Sequence, residues 1–256
     1  MKIFQKYAAE FFGTFILVGG GTGAVIGGGL TQEGVLAVSL GFGLALMVAL
    51  YAFAGISGGH FNPAVSLAAF LDRRIGFIDM VGYWVMQVAG ALGASALIAW
   101  IYSREFAAAT ANTLNRQAGV NELAGFFGEA VLTLVFVFVI LVLAKSDSHT
   151  KYIGMGVTLA VVYLVGIVMT GAGVNPARSF APALVGGTWD GFWVYIAGPA
   201  LGAIVAWALY KIIVEGDVRL GDDMVAVKED VEETAEQIED RIEDRFDKDD
   251  DRFERD

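Results

Sequence analysis

The sequence predicts an all-α membrane protein of six transmembrane helices and two re-entrant half-helices arranged as an inverted repeat. Three observations predict it. Six apolar runs are each long enough to cross a bilayer, two shorter apolar segments each open on Asn-Pro, and the pattern occurs twice along the chain. Of the 256 residues, 56% are hydrophobic and 18% charged, against roughly 45–50% and about 25% in soluble domains.

The long runs lie at about 7–30, 35–56, 80–102, 123–144, 152–170 and 191–214. About 20 apolar residues are needed to cross ~30 Å of hydrocarbon, and in lipid only a helix satisfies its own backbone within one segment. The first run follows two lysines, as in a secretory signal peptide, but it continues to residue 30 and is read as a retained span. Gly19–Gly23 could be mistaken for a phosphate loop. It lacks a following lysine and lies mid-span, so Gly19, Gly23 and Gly27, with Gly198 and Gly202, are expected at helix-packing surfaces.

The short segments, 63–71 and 176–185, reach only about half of the hydrocarbon at ~1.5 Å per residue. Each follows a glycine-rich stretch and begins with Asn as N-cap and Pro at the first helical position. His60-Phe61-Asn62-Pro63-Ala64-Val65 in one half answers Gly173-Val174-Asn175-Pro176-Ala177-Arg178 in the other, and Glu10 and Thr14 answer Glu129 and Thr133. Three spans per half force the copies into opposite orientations, a pattern that points to a site at the bilayer midplane. Residues 1–214 therefore read as one membrane domain with halves at about 1–103 and 121–214, and 215–256 as a tail.

Charge divides the chain at the same place. Residues 215–256 hold 19 acidic and 7 basic side chains, while 1–214 hold 9 and 10, so the acidity belongs to the tail. Lys2, Lys6, Arg73, Arg74, Lys145, Lys151 and Lys211 fall on one side of the membrane and only Arg104 and Arg116 on the other. The positive-inside rule then makes both termini cytoplasmic and the chain a multi-pass protein of the cell membrane. No basic stripe suggests nucleic acid. With no cysteine there is no thiol chemistry, and neither an enzymatic centre, a metal nor a cofactor is expected.

The chemistry is expected where the half-helices meet. Each N-terminus carries roughly half a positive charge and unpaired N–H groups, so two facing tips repel cations, hydronium included. Asn62 and Asn175 cap their helices through the side-chain oxygen, leaving their amide N–H groups to donate into a lumen. A water there turns its oxygen to both donors and cannot relay a proton. Backbone carbonyls of Gly59, His60, Phe61, Gly171, Gly173 and Val174 are expected to line the rest, since irregular backbone is tolerated in a membrane only along a cavity. One Asn-Pro alone would be an ordinary turn; two copies at corresponding places, each after a glycine-rich approach, are not. Arg178, one turn beyond Asn175, is an intramembrane charge that reads as facing a cavity with partners, with anchoring of the loop as its plainer role. Glu10 and Glu129 could relay protons, but their symmetric placement favours accepting hydrogen bonds from loop backbone. His60 could gate with pH or act as a neutral spacer, which is preferred; His149, near Asp147 and Lys151, reads as solvated loop.

The paired Asn-Pro-Ala boxes followed by Arg178 resemble the aquaporin, or major intrinsic protein, family across nearly all of residues 7–214. The resemblance implies one pore per chain, assembly as homotetramers, and passive flow of water through the bilayer. It also implies a filter at Phe42, Tyr163, Ala172 and Arg178. Water-selective members usually carry His where Tyr163 stands, while glycerol facilitators usually carry Gly there and a second aromatic at the position of Ala172. Ser179 and Ala183 lack the Asp and basic residue of the facilitators, and Phe192-Trp193 matches the aromatic pair of water channels. The reading is a water channel, with facilitation of glycerol or other small neutral solutes as the alternative. An ion-coupled transporter would depend on Glu10 and Glu129, and a junction protein would need an adhesive outer loop that the sequence lacks.

The tail reads as disordered by composition, a solvated acidic extension suited to a salty cytoplasm. Val231, Ala235, Ile238, Ile242 and Phe246 nevertheless recur at helical spacing, which would suit a short amphipathic helix pairing near a tetramer axis.

Overall fold

The computed structural model describes residues 3–28, 32–216 and 220–253, with side chains described up to Ile242 in the last segment. Lys2, the expected end of the first span at residue 30, and the side chain of Phe246 lie outside the described residues. In chain order the helices are α1 (Ile3–Gly28), α2 (Gln32–Ser57), α3 (Pro63–Leu71), α4 (Phe77–Ile101), α5 (Arg104–Ala109), α6 (Glu122–Leu143), α7 (Lys151–Thr170), α8 (Pro176–Gly186), α9 (Val194–Tyr210) and α10 (Leu220–Phe253). Six of them, α1, α2, α4, α6, α7 and α9, are long and apolar enough to cross a membrane. The outer faces stay apolar, with Leu36, Leu40, Leu44 and Val48 exposed on α2 and Ile153, Val157, Val161 and Val168 exposed on α7. Such faces have no place in water and suit lipid or a neighbouring subunit.

The halves are α1–α4 and α6–α9. Within the first, α1 packs on α2 and α4; within the second, α6 packs on α9 and α7; α2 against α7 joins them. Close approach depends on missing side chains. A Cβ on Gly43 would strike the Gly156 carbonyl and one on Gly156 the Gly43 carbonyl, so α2 and α7 cross at backbone contact. Gly198 and Gly202 do sit tightly against α6. In α1 the expectation fails. Nothing described lies within 4 Å of where a Cβ would stand on Gly23 or Gly27, and Gly19 makes only an ordinary contact. Gly13, Gly20 and Gly21 are the crowded positions instead, because Phe61, Ala45 and the ring of Phe42 occupy the space of their missing side chains. Periodicity located the helix but not its facing angle.

The half-helices start as the Asn-Pro signals require. Asn62 accepts from Ala64 N, and Asn175 from Ala177 N and Arg178 N, each with Pro next in the chain. α3 lies against α4 and α9, α8 against α4, α5 and α9, and the two touch at their tips. Beyond α3, burial pushes the Asp72 carboxyl above its ordinary value, offset in part by Arg74 at 2.6 Å.

The tail departs furthest from expectation. α10 runs 34 residues, longer than the short helix or disordered extension read from composition. Its apolar positions Leu220, Met224, Val227, Val231, Ala235, Ile238 and Ile242 fall at spacings of three and four, one face of a helix. The first part of that face docks: Val227 and Thr234 are buried, and Leu220 and Val231 pack on the main core. Asp230 accepts from Phe77 N at 3.0 Å, capping α4, whose own N-cap, Gly76, has no side chain. Lys211 ties Asp223 at 3.1 Å and Glu215 at 2.9 Å. A composition argument weighs average hydropathy and does not see a capping carboxylate borrowed from 153 residues away.

Candidate functional site: a lumen between two half-helices

The approach to each tip is held in an uncommon backbone. Gly59 and Phe61 have φ of 72° and 49°, and Ala172 and Val174, at the same distances before their Asn, have φ of 48° and 43°. A β-branched residue in the left-handed region is strained and persists only when its surroundings over-determine it. The over-determination comes from two fully buried carboxylates. Glu10 accepts from Phe61 N at 2.7 Å, His60 N at 3.0 Å, Ser57 Oγ at 2.6 Å and Gln87 Nε2 at 2.7 Å. Glu129 accepts from Val174 N at 2.7 Å, Gly173 N at 2.8 Å and Thr170 Oγ1 at 2.6 Å.

The tips are also stitched to each other. Asn62 Nδ2 donates to the Val174 carbonyl and Asn175 Nδ2 to the Phe61 carbonyl, each at 2.9 Å. This corrects one expectation: neither amide is wholly free, because one N–H of each bridges the tips and only the other lacks a protein partner among the described residues. It also alters the carbonyl ladder. Those of Phe61 and Val174 accept from the asparagines, and that of Gly173 from Asn175 N. Among the described residues no protein group donates to the carbonyls of Gly59, His60 or Gly171, so these three keep both lone pairs, while those of Phe61, Gly173 and Val174 keep one each.

Asn62 and Asn175 border a lumen of about 10 Å³, lined also by His60, Val174, Phe42, Tyr163 and Arg178, with Leu17, Leu46, Phe136 and Leu159 as its apolar wall. That is room for about one water. His60 sets its Nδ1 3.1 Å from Ser66 Oγ and turns its ring edge to Tyr83. Arg178 stands at the end of the lumen and also lines a wider vestibule of about 730 Å³ under α5. Phe42 and Tyr163 stack with centroids 4.2 Å apart, and the guanidinium lies 4.9 Å from the Phe42 centroid. Its Nε donates to Tyr163 Oη at 3.2 Å, and Nη1 to the Thr110 carbonyl at 3.0 Å and Asn112 Oδ1 at 2.8 Å. No bond from Nη2 to another protein group is found among the described residues, and the side chain borders both the lumen and the vestibule. Ala172 is buried beneath this ring of groups, packed near Gly166 rather than lining the lumen.

Asn112 was invisible in the sequence. Its Oδ1 also accepts from Ser179 Oγ at 2.9 Å, so one loop amide seats the guanidinium and fixes the first turn of α8. It sits in an irregular loop with no motif around it; the only available signal was that an intramembrane arginine needs acceptors and the loop 110–116 is rich in them. Phe192 and Trp193 lie in the turn before α9, and Trp193 Nε1 donates to Glu122 at 2.6 Å.

Six spans, four of which (α1, α2, α6 and α7) wall a narrow lumen that both half-helix tips border, have the architecture of a membrane channel. Comparison with known proteins agrees. Residues 1–210 match the major intrinsic protein family. The chain is 42% identical over 207 residues to glycerol uptake facilitator protein-like 6 of Lactiplantibacillus plantarum, covering 79% of this chain and 94% of that one. It is 37% identical over 220 residues to aquaporin Z of Brucella melitensis, covering 81% and 96%. The fold matches the X-ray structure of the aquaglyceroporin from Plasmodium falciparum with a TM-score of 0.75 at 24% identity, over 83% of this chain and 97% of that one. The chain belongs to the major intrinsic protein family of membrane channels that pass water or small solutes.

Proposed function

We propose that this channel is a water-selective pore, passing water in single file along osmotic gradients while excluding protons and ions. The observation that carries the reading is the constriction at Arg178. Tyr163, stacked on Phe42 and bonded to the arginine, fills the place where a facilitator would be open, and the lumen beside it has room for about one water. Glycerol is bulkier than water, and the stacked rings of Tyr163 and Phe42 leave it less room beside Arg178 than a glycine at that place would. Asn62 and Asn175 each keep one N–H for passing water, and the two positive helix ends oppose cations. Arg178 adds a fixed charge at the mouth, and the open carbonyls of Gly59, His60 and Gly171 supply acceptors on the way. Glu10 and Glu129 act as structural braces in this reading, because their oxygens are taken by loop donors. The channel domain spans 1–214 and is followed by a tail whose first part docks on it, the termini are cytoplasmic, and chains assemble as homotetramers in the cell membrane.

A second reading, facilitation of glycerol or another small neutral solute, is favoured by the Lactiplantibacillus relative named as a glycerol uptake facilitator. Stopped-flow light scattering of vesicles carrying the channel separates the two. The water reading expects shrinkage well above that of empty vesicles under an impermeant osmolyte and glycerol entry at the empty-vesicle rate. Fast glycerol entry would transfer the assignment to the second reading.

A further inference from the structure

The half-helix tips have a second face, turned away from the lumen. Behind them, between α4 and α9, lies a crevice of about 240 Å³. Pro63 and Leu67 of α3 and Pro176 of α8 form its floor; Trp84 of α4 and Ile196 and Ala200 of α9 form its walls. It shares no lining residue with the lumen. The one polar atom of its largest wall is already occupied, since Trp84 Nε1 donates to the Pro63 carbonyl at 3.0 Å. The surface offered is therefore hydrocarbon, with nothing for water to bond.

Depth and direction set the occupant. Half-helices that each reach about halfway meet at mid-bilayer, ~15 Å from either headgroup region, so only chain ends are present there. Ile196 is exposed, and Trp84, Pro176 and Ala200 are half-buried, so the crevice opens outward. Its rims continue into the exposed apolar side chains Val81 and Val85 on α4 and Ile204 on α9, the lipid-facing belt of the same spans. We propose that the crevice binds the terminal segment of a lipid acyl chain, seated against the backs of Pro63 and Pro176. An unfilled apolar gap forfeits dispersion contacts along its lining, and here that lining is the support of both asparagine tips. The bilayer's own chains thereby become part of the packing that holds Asn62 against Asn175.

The test uses the full chain in phosphatidylcholine vesicles doped with a phosphatidylcholine that carries a diazirine near the terminal methyl of one chain. After illumination, adducts are mapped by mass spectrometry. Expected are adducts on 63–67 and on Ile196 or Ala200, falling several-fold when the diazirine is moved close to the headgroup. Ala200→Phe, which fills the crevice, should remove the adducts on 63–67 and leave those on Val85 unchanged; Leu67→Phe serves the same purpose from the floor if the first variant does not fold. Adducts confined to Val81, Val85 and Ile204 in the unaltered chain overturn the proposal. So does labelling of 63–67 that neither filling variant diminishes.

Discussion

Glu10 and Glu129 hold their half-helices by the same device. Each takes the two amide N–H groups just before the Asn and the hydroxyl five residues before it, Ser57 or Thr170, while Tyr83 or Tyr195 donates to that residue's carbonyl. Beyond the cradle the halves part. In the first, the polar groups close on one another, with Gln87 reaching both Glu10 and Ser66 and His60 beside Ser66. In the second, Pro199 stands four residues after Tyr195, where Gln87 follows Tyr83, and Ser179 turns to Asn112. The residue three after the Asn is Val65 on one side and Arg178 on the other. The repeat carries Phe42, Tyr163 and Ala172 onto Met155, Leu50 and Gly59, which bring no charge and no aromatic ring. In the proposed pore, proton exclusion thus rests on what the halves share and solute selection on what only the second half has.

The comparison breaks most visibly at the cradles. Glu10→Ala and Glu129→Ala each orphan at least three buried donors, at ~1–3 kcal/mol apiece, so both should abolish folded protein in detergent as judged by gel filtration and thermal melting. A variant that stays folded in one half only would show that the cradles are not equivalent. Next comes the filter. Arg178→Val gives the second tip the residue of the first and should raise glycerol entry about tenfold, as does removing ~1.4 kcal/mol from a barrier; unchanged selectivity would take Arg178 out of the filter. Tyr163→Gly should raise glycerol flux with water flux kept, and no rise would place the constriction elsewhere. Asn112→Ala removes a charge-assisted bond worth ~1.5–3 kcal/mol but leaves Arg178 the Thr110 carbonyl and Tyr163. A smaller loss of water-over-glycerol preference than in Arg178→Val is expected from parallel vesicle assays. The smallest effect is none at all: with no cysteine in the chain, mercurials should leave water flux unchanged, and rapid reversible block would contradict that.

The spans, both half-helices and the family were legible because their signals are local or repeated: apolar length, Asn-Pro after glycine, and the same six-residue pattern twice. α3 runs Pro63–Leu71 as the pattern predicts, and α8 ends one residue later than predicted. What was not legible depends on residues distant in the chain. The asparagine amides bond carbonyls 112 and 114 positions away, Asn112 reaches Arg178 across 66, and Asp230 caps α4 across 153. The glycine misreading in α1 has a related cause, since which face of a helix meets a neighbour depends on a partner that periodicity alone does not name. The tail helix is half legible: its apolar spacing was visible, but its docking surface was not.

In the proposed pore, protons are excluded by two half-helix ends that present N–H donors at the centre of a file of water. The direct test is proton flux through vesicles carrying the channel, read by an entrapped pH dye under a clamped membrane potential, beside water flux in the same vesicles. Water flux far above that of empty vesicles with proton flux no greater than theirs is the predicted result. Proton flux that rises together with water flux would contradict it.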